Sequence, residues 1–417
     1  MGLGRTTAIL CFCAFFMLIE GLDLAAMPLA VPRVSAQWGL AASDFAVSLS
    51  AVVLGIGIAA VTLAPLGERF GRRRMIFWSG LFTAMVTIAT ATASSIEAFI
   101  LWRLLTGLGL GSCLPNVTAS VAHIAPPRLR ARILAIVNTA IPVGSVLAGF
   151  IAAPLARIGN WHALFLSAGL LTLLVAVGLG FLLPDGPNAP AAAVDAEEPG
   201  GASSPIFELF RNAYRLNTVL LLGLATTNTF LIYMMINWLP TLLPRGGISV
   251  DAAARLSSFF QFGGIVGGFA FAYMMDRGRA IAAFAIGYTL AAAGLTGLAF
   301  LPNDGALWIV LLLATGMGIS GAHVAITIFG MGFYPQHLLS SFVGLSIAVT
   351  RAGAISGPLA GGWLIRNSSG IGTFMLAAVG PTLLCGGWIL LLARIGGKSS
   401  RYRPVATLPE HGGRPAG

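Results

Sequence analysis

Long apolar runs, interrupted at intervals by short polar stretches, dominate this chain. Twelve runs stand out, over 7–31, 45–67, 75–93, 98–122, 133–155, 162–183, 216–243, 256–275, 281–301, 306–331, 339–364 and 371–395. Each matches the length of about 18 residues or more that lets a helix cross the hydrocarbon core of a bilayer. Inside a bilayer every backbone N–H and C=O must be satisfied within the segment, so such runs predict helices. The expected fold is an all-α polytopic membrane protein with twelve transmembrane helices in two six-helix halves. The first run is too long, and too polar near its middle, to be a cleaved leader.

The longest polar stretch, 184–215, splits the runs six and six. It is rich in Pro, Ala, Gly and acid, a composition that predicts a mostly disordered linker, with a short amphipathic piece at 206–214. The expected organisation is a bundle over 1–183, a cytoplasmic linker over 184–215, a second bundle over 216–395 and a cytoplasmic tail over 396–417. The halves echo each other. Thr106-Gly107-Leu108-Gly109-Leu110-Gly111 recurs as Thr315-Gly316-Met317-Gly318-Ile319-Ser320, at an offset of 209. Gly144-Ser145-Val146-Leu147-Ala148-Gly149 recurs as Ser356-Gly357-Pro358-Leu359-Ala360-Gly361, and Glu68-Arg69 as Asp276-Arg277. Parallel six-helix repeats of this kind place a substrate site near mid-membrane between the halves, with access alternating as they rock.

Composition supports the membrane class. The chain is 57% hydrophobic and 9% charged, where a soluble domain carries about 25% charged residues. Its net charge of +10 is almost entirely arginine, since Lys398 is the sole lysine. A basic chain raises the question of nucleic acid, but the positions answer it. If the N-terminus is cytoplasmic, that side receives Arg5, Arg69, Arg72, Arg73, Arg74, Arg128, Arg130, Arg132, Arg211, Arg215, Arg277, Arg279 and a basic tail. The other side receives Arg33, Arg157, Arg245, Arg255 and Arg366, giving 17 cations against 5. That asymmetry is a topology signal and puts both termini in the cytoplasm. The cysteines, Cys11, Cys13, Cys113 and Cys385, lie in apolar runs without ligand spacing and are expected to be small buried residues. No metal site or cofactor is expected.

Ala64-Pro65-Leu66-Gly67-Glu68-Arg69-Phe70-Gly71-Arg72-Arg73-Arg74 resembles the signature loop after the second helix of major facilitator superfamily transporters. Ala64 stands for the usual glycine and Glu68 for the usual aspartate. Glu20-Gly21-Leu22-Asp23, Gly109-Leu110-Gly111 through Leu114-Pro115-Asn116, Ile236-Asn237-Trp238-Leu239-Pro240 and Arg351 through Pro358 resemble the aromatic acid:proton symporter family, the hydroxyphenylpropionate and hydroxybenzoate transporters in particular. The resemblance implies the major facilitator fold and uptake of a small aromatic carboxylate together with a proton. It also carries the family's acidic first-helix motif onto Glu20 and Asp23, and its arginines in helices 4 and 11 onto Arg103 and Arg351. The sequence departs from the family in having His123 where relatives have Glu, and in having Leu338-Leu339-Ser340 after the Tyr334-Pro335 pair.

The buried polar residues define the candidate chemistry. Ionised carboxylates in a bilayer core cost several kcal/mol unless paired, protonated or facing water. Glu20 and Asp23, three residues apart, share a helix face. At about 1.5 Å per residue, Asp23 lies about 10–12 Å from the outer end of its run, with Arg103 at comparable depth. An arginine there can hold one carboxylate ionised and leave the other to carry a proton. Asp23 is assigned the proton, with Glu20 as its partner; the alternative is a fixed Glu20–Asp23–Arg103 network that only locks helices. Arg351 is the expected anchor for an organic anion, by two parallel hydrogen bonds to a carboxylate, with Arg103 as the alternative anchor. Tyr233, Asn237, Trp238, Phe259, Phe260, Gln261, Phe329, Asn116 and Asn138 are candidate cavity-lining residues, and His323 a relay or contact. Glu68, Arg69, Gly71, Arg72 and Arg73 with Arg128 and Arg130 are expected to form a cytoplasmic ion-pair latch, with Asp276, Arg277 and Arg279 as its second copy.

Together these features predict a monomeric, proton-coupled importer in a bacterial inner membrane. A proton-antiporting exporter of drugs or metabolites is the alternative. An enzyme is not expected, because the chain holds no nucleophile–His–Asp set, metal spacing or phosphate loop.

Overall fold

In a computed structural model of the 417-residue chain, residues 3–184, 205–211, 214–302, 305–367 and 370–396 are described. Most of the expected linker and the tail beyond 396 lie outside them. Twelve long helices follow one another: α1 Leu3–Trp38, α2 Ala46–Thr62, α3 Arg72–Thr90, α4 Ile96–Ile124, α5 Arg130–Gly159, α6 His162–Leu182, α7 Arg215–Leu242, α8 Val250–Asp276, α9 Ala280–Phe300, α10 Gly305–Met331, α11 Gln336–Asn367 and α12 Ile371–Gly396. No strand occurs among the described residues. Eleven of the helices are long and apolar enough to cross a membrane. The exception, α3, begins with Arg72-Arg73-Arg74, which lowers its hydropathy without shortening it. It packs between α4 and α6 and completes the first set of six. Of the expected amphipathic piece, Pro205–Glu208 is a short helix, and the Leu209 carbonyl accepts from the Thr218 hydroxyl of α7.

The two sets of six use the same pairings. In the first, α1 packs on α5, α2 on α4 and α3 on α6; in the second, α7 packs on α11, α8 on α10 and α9 on α12. The sets meet through α5 with α8, α2 with α11 and α1 with α7. Local chemistry explains why the pairings repeat. A Cβ on Gly107 would collide with the Val52 carbonyl of α2, and one on Gly316 with the Phe260 carbonyl of α8. Only glycine lets backbones approach that closely. Gly71, after the short helix Leu66–Phe70, has φ +95°, and Gly278, after α8, has φ +72°. Both are left-handed turns that favour glycine.

The start of α1 and the end of α12 lie on the same side of the bundle, here the terminal end; the other is the far end. At the far end of the first set, Trp38, Phe45, Phe99, Trp161 and Phe165 form an aromatic cluster with centroids 5.3–6.2 Å apart. Toward the terminal end, Phe16, Met17, Cys113, Val117, Val175 and Ala176 form a separate apolar cluster. Cys13, Cys113 and Cys385 are buried as expected, but Cys11 is exposed on the outside of α1.

Candidate functional site

Between those two apolar layers lies a charged one. Asp23 of α1 accepts from both terminal nitrogens of Arg103 in α4, at 3.2 Å each, a bidentate pair. The guanidinium also lies 5.7 Å from the centre of the Phe165 ring of α6. Glu20, one turn toward the terminal end, is within electrostatic reach of both groups. Neither of its carboxyl oxygens has a hydrogen-bond partner, and Arg103 Nε has none either. Glu20, Asp23 and Arg103 are all 0% exposed. The three predicted charges therefore converge, inside the first six-helix set rather than on an open cavity. The arginine chooses Asp23.

A second polar region lies along the seam between the sets. A small, half-open pocket is lined by Ala25, Pro28 and Leu29 of α1, Ser145 and Gly149 of α5, Ile236 and Pro240 of α7, and Ala254, Ser257, Ser258 and Gln261 of α8. Gln261 is half-buried there. Arg351 of α11 is half-buried, and its methylenes lie 3.8–3.9 Å from where a Cβ on Gly57 of α2 would stand, across the seam. Among the described residues it has no carboxylate partner. His323 of α10 is close enough to feel its charge and has an exposed side chain. Tyr233 is half-buried beside Val52, Ile56, Leu110 and Ala354 at the same seam.

Other candidates are engaged elsewhere. Trp238 is 0% exposed, and its indole N–H donates to the Pro358 carbonyl at 2.9 Å, which ties α7 to α11. Asn237 donates to the Tyr233 carbonyl of its own helix at 2.7 Å. Asn116 donates to Ala64 at 3.1 Å and Ser112 at 2.8 Å, bracing the loop before Leu66–Phe70. Asn138 is exposed and bonds back to Leu134. Phe260 and Phe329 are packed in the core, while Phe259 meets Phe150 of the other set at 6.1 Å.

At the terminal end, Arg72 donates to the Ala119 carbonyl at 3.5 Å and Arg73 to the Gly180 carbonyl at 2.6 Å, both within the first set. Glu68, Arg69, Arg128 and Arg130 are exposed beside them. In the second copy, Asp276 and Arg279 are exposed and Arg277 lies 4.2 Å over the Tyr273 ring.

Sequence reasoning missed the bonds that join the two sets. Arg33 pairs with Asp251 at 2.5 Å and Arg366 with Asp44 at 2.6 Å. The Ser50 hydroxyl donates to the Ile355 carbonyl and the Ser258 hydroxyl to the Val146 carbonyl, both at 2.9 Å. All four lie in the far-end half of the molecule. They respect the repeat: Asp44 and Asp251 are 207 apart, Ser50 and Ser258 208, Val146 and Ile355 209. Extending the repeat comparison from glycines to polar residues would have singled out the two aspartates and the two serines, though not the arginines that pair with the aspartates.

This arrangement, paired six-helix sets with a sealed charge cluster and a polar seam, is that of a secondary transporter. The family model for the Major Facilitator Superfamily matches residues 10–346, and the chain belongs to that superfamily. It is 32% identical to a gallate transporter of Pseudomonas putida, over 87% of this chain and 86% of that protein. It is 29% identical to the 4-hydroxybenzoate transporter PcaK of Pseudomonas aeruginosa, over 92% and 91%. To the 3-(3-hydroxy-phenyl)propionate transporter of Escherichia coli it is 30% identical, over 94% and 95%. Among solved structures, a bacterial homologue of the human lysosomal transporter Spinster superposes with a TM-score of 0.75. It is 18% identical and covers 97% of this chain and 100% of that one, a likeness of fold.

Proposed function

We propose that the chain is a proton-coupled importer of a small aromatic carboxylate, of the benzoate, hydroxybenzoate or phenylpropionate type. It works as a monomer by alternating access in a bacterial inner membrane, with both termini in the cytoplasm and the far end outside. The names of its relatives supply the substrate class. The observation that carries the coupling is that two sealed carboxylates share one arginine, and the arginine is spent on Asp23. An ionised carboxylate with no donor is far too costly in a dry interior. Glu20 therefore carries the proton, and Asp23 with Arg103 forms the fixed pair. This reverses the division of labour expected from sequence.

Arg351 is the anion anchor. Its methylenes lie against α2 at the seam, it has no carboxylate partner among the described residues, and its guanidinium can receive one bidentately. His323 is within reach of its charge, and Tyr233 and Gln261 reach the seam from α7 and α8. Trp238 ties α7 to α11 and Asn116 braces the loop before Leu66–Phe70, while Asn237 bonds within its own helix. Proton and anion load together, so no uncompensated charge crosses the bilayer core. The Glu68–Arg73 loop with Arg128, Arg130 and the Asp276–Arg277 copy acts as the cytoplasmic latch when the far end opens.

The test is uptake of labelled benzoate, 4-hydroxybenzoate, gallate and a non-aromatic acid by proteoliposomes under an inward proton gradient. Accumulation of one aromatic acid, abolished by a protonophore, supports the function. Accumulation of none of them overturns it.

A further inference from the structure

Mid-helix threonines in a membrane helix ordinarily return their hydroxyl to a carbonyl one turn back. In α3, Thr83 does so to Ser79 and Thr90 to Val86, at 2.8 and 2.9 Å. Thr87, between them, does not. Thr172 of α6 does not either. Both hydroxyls are fully buried, at 0% and 1% exposure, and neither has a partner. Buried polar groups are nearly always satisfied by protein or by an ordered water, so two free hydroxyls in one layer need a reason.

The helix register locates them. A Cβ on Gly80 of α3 would stand 2.8 Å from the Ala176 Cβ of α6 and 3.5 Å from Phe16 Cε2 of α1. Phe16, Gly80 and Ala176 thus share one level. Helices α1 and α3 run the same way and α6 runs against them. One turn toward the far end on the same faces brings Glu20, Ala84 and Thr172 to one level. A Cβ on Gly169 would stand 3.0 Å from both the Ala84 carbonyl oxygen and Ile88 N, which confirms that register on the α3–α6 seam. Thr87, three residues past Ala84, is level with Asp23, three residues past Glu20. The free hydroxyls and the free carboxyl therefore lie within one helical turn of each other in height, on three helices of the same set.

The other titratable groups within electrostatic reach of Glu20 are Asp23 on its own helix and Arg103 and Cys113 on α4, with Cys13 of α1 next to Cys113. At this level α3 and α6 present hydroxyls only. The seam pocket is lined by Ala25, Pro28 and Leu29 of α1 and by none of these groups.

We propose that Thr172, with Thr87 beside it, completes with Glu20 a closed proton site inside the first six-helix set, apart from the seam along which the anion moves. The site takes a proton or a single water between the carboxyl and the two hydroxyls. Thr172 is a positioning residue. It donates to the ionised carboxylate when the proton leaves, and accepts from the carboxylic acid when the proton returns. The inference rests on the proposal that Glu20 is the proton carrier.

The experiment compares wild type with Thr172→Val, which keeps the shape and removes the hydroxyl, and with Thr172→Ser, which restores it. Loss of the donor disfavours the ionised carboxylate. The pH of half-maximal proton-driven uptake should rise by about one unit in Thr172→Val, given the usual strength of a hydrogen bond to a charged group, and return in Thr172→Ser. Thr87→Val should move it in the same direction. In parallel, infrared difference spectra of purified protein would follow the C=O stretch of protonated Glu20, identified by its loss in Glu20→Gln. That band should shift in Thr172→Val without any transport substrate. A Thr172→Val profile and C=O band that both superimpose on wild type overturn the site. If wild type accumulates no aromatic acid while the band still responds to Thr172, the substrate reading fails and the proton site stands.

Discussion

Glu20 and Asp23 are the same kind of group three residues apart, yet their surroundings differ entirely. Asp23 has two charge-assisted hydrogen bonds from Arg103, and Glu20 has none. Substitutions there should therefore fail in different ways. Asp23→Asn leaves Arg103 as a buried, unpaired cation, a loss of about 3–5 kcal/mol for a broken buried pair. It should lower the melting temperature in detergent and abolish all transport, and a fluorescence thermal-shift measurement will show the first. Arg351 poses a different question, because it has no carboxylate partner among the described residues and its proposed role is to hold the anion rather than the fold. Arg351→Lys keeps the charge but loses the two-pronged geometry. It should raise KM for the aromatic acid about tenfold or more, equivalent to about 1.4 kcal/mol, with thermal stability unchanged. Initial-rate uptake over a range of substrate concentrations checks this. Both arginines and both acids could be picked out from sequence, because charge inside an apolar run is conspicuous. Which acid takes the arginine could not. That depends on helix rotation, and a step of three residues changes it by about 60°.

At the scale of elements, the apolar runs located the helices, since a bilayer leaves the backbone no alternative. Even α3, with three arginines in its first turn, was legible from its run at 75–93. The glycines of the repeated Thr106–Gly111 and Thr315–Ser320 motifs set how close the helices come. Gly107→Val would push α2 from α4, at about 1–3 kcal/mol for overpacking, and Gly316→Val should do the same to α8 and α10. Thermal-shift measurements on the two variants should give losses of similar size, because the contacts are repeat-equivalent. Less legible was the role of the amphipathic helix faces. Trp238 and Asn237 carried a family resemblance that pointed to the substrate, yet the indole bonds to α11 and the amide to its own helix. Sequence spacing places a side chain on a face; it does not say which neighbour has already claimed its hydrogen bond.

At the scale of the whole molecule, the two sets of six are held together at the far end by two ion pairs and two serine hydroxyls. The ion pairs are not equal. Arg366 is 66% exposed and Asp44 27%, so that pair contributes little, about 0–1 kcal/mol at most. Arg33 is only 13% exposed, and its pair with Asp251 should be the stronger tie. With the native cysteines replaced and Ser258→Cys as reporter, Asp251→Asn should speed labelling by a membrane-impermeant thiol reagent added outside, whereas Asp44→Asn should change it little. Equal rates in the two backgrounds would mean that neither pair sets the balance between open and closed far ends. The acids of these ties, Asp44 and Asp251, sit at matching places in the repeat, so the tie was written in the sequence. Their partners, Arg33 and Arg366, do not match each other, which is why comparing the repeats alone cannot pair them.

The measurement that bears most directly on the coupling is transport by Glu20→Gln in proteoliposomes, followed two ways: net accumulation under an inward proton gradient, and exchange of labelled for unlabelled aromatic acid at equal pH. Glutamine is neutral and cannot release a proton, and it leaves the Asp23–Arg103 pair in place. If Glu20 carries the proton, exchange persists while gradient-driven accumulation is lost. Accumulation at the wild-type level in Glu20→Gln would contradict that role, because the proton would then travel on some other group.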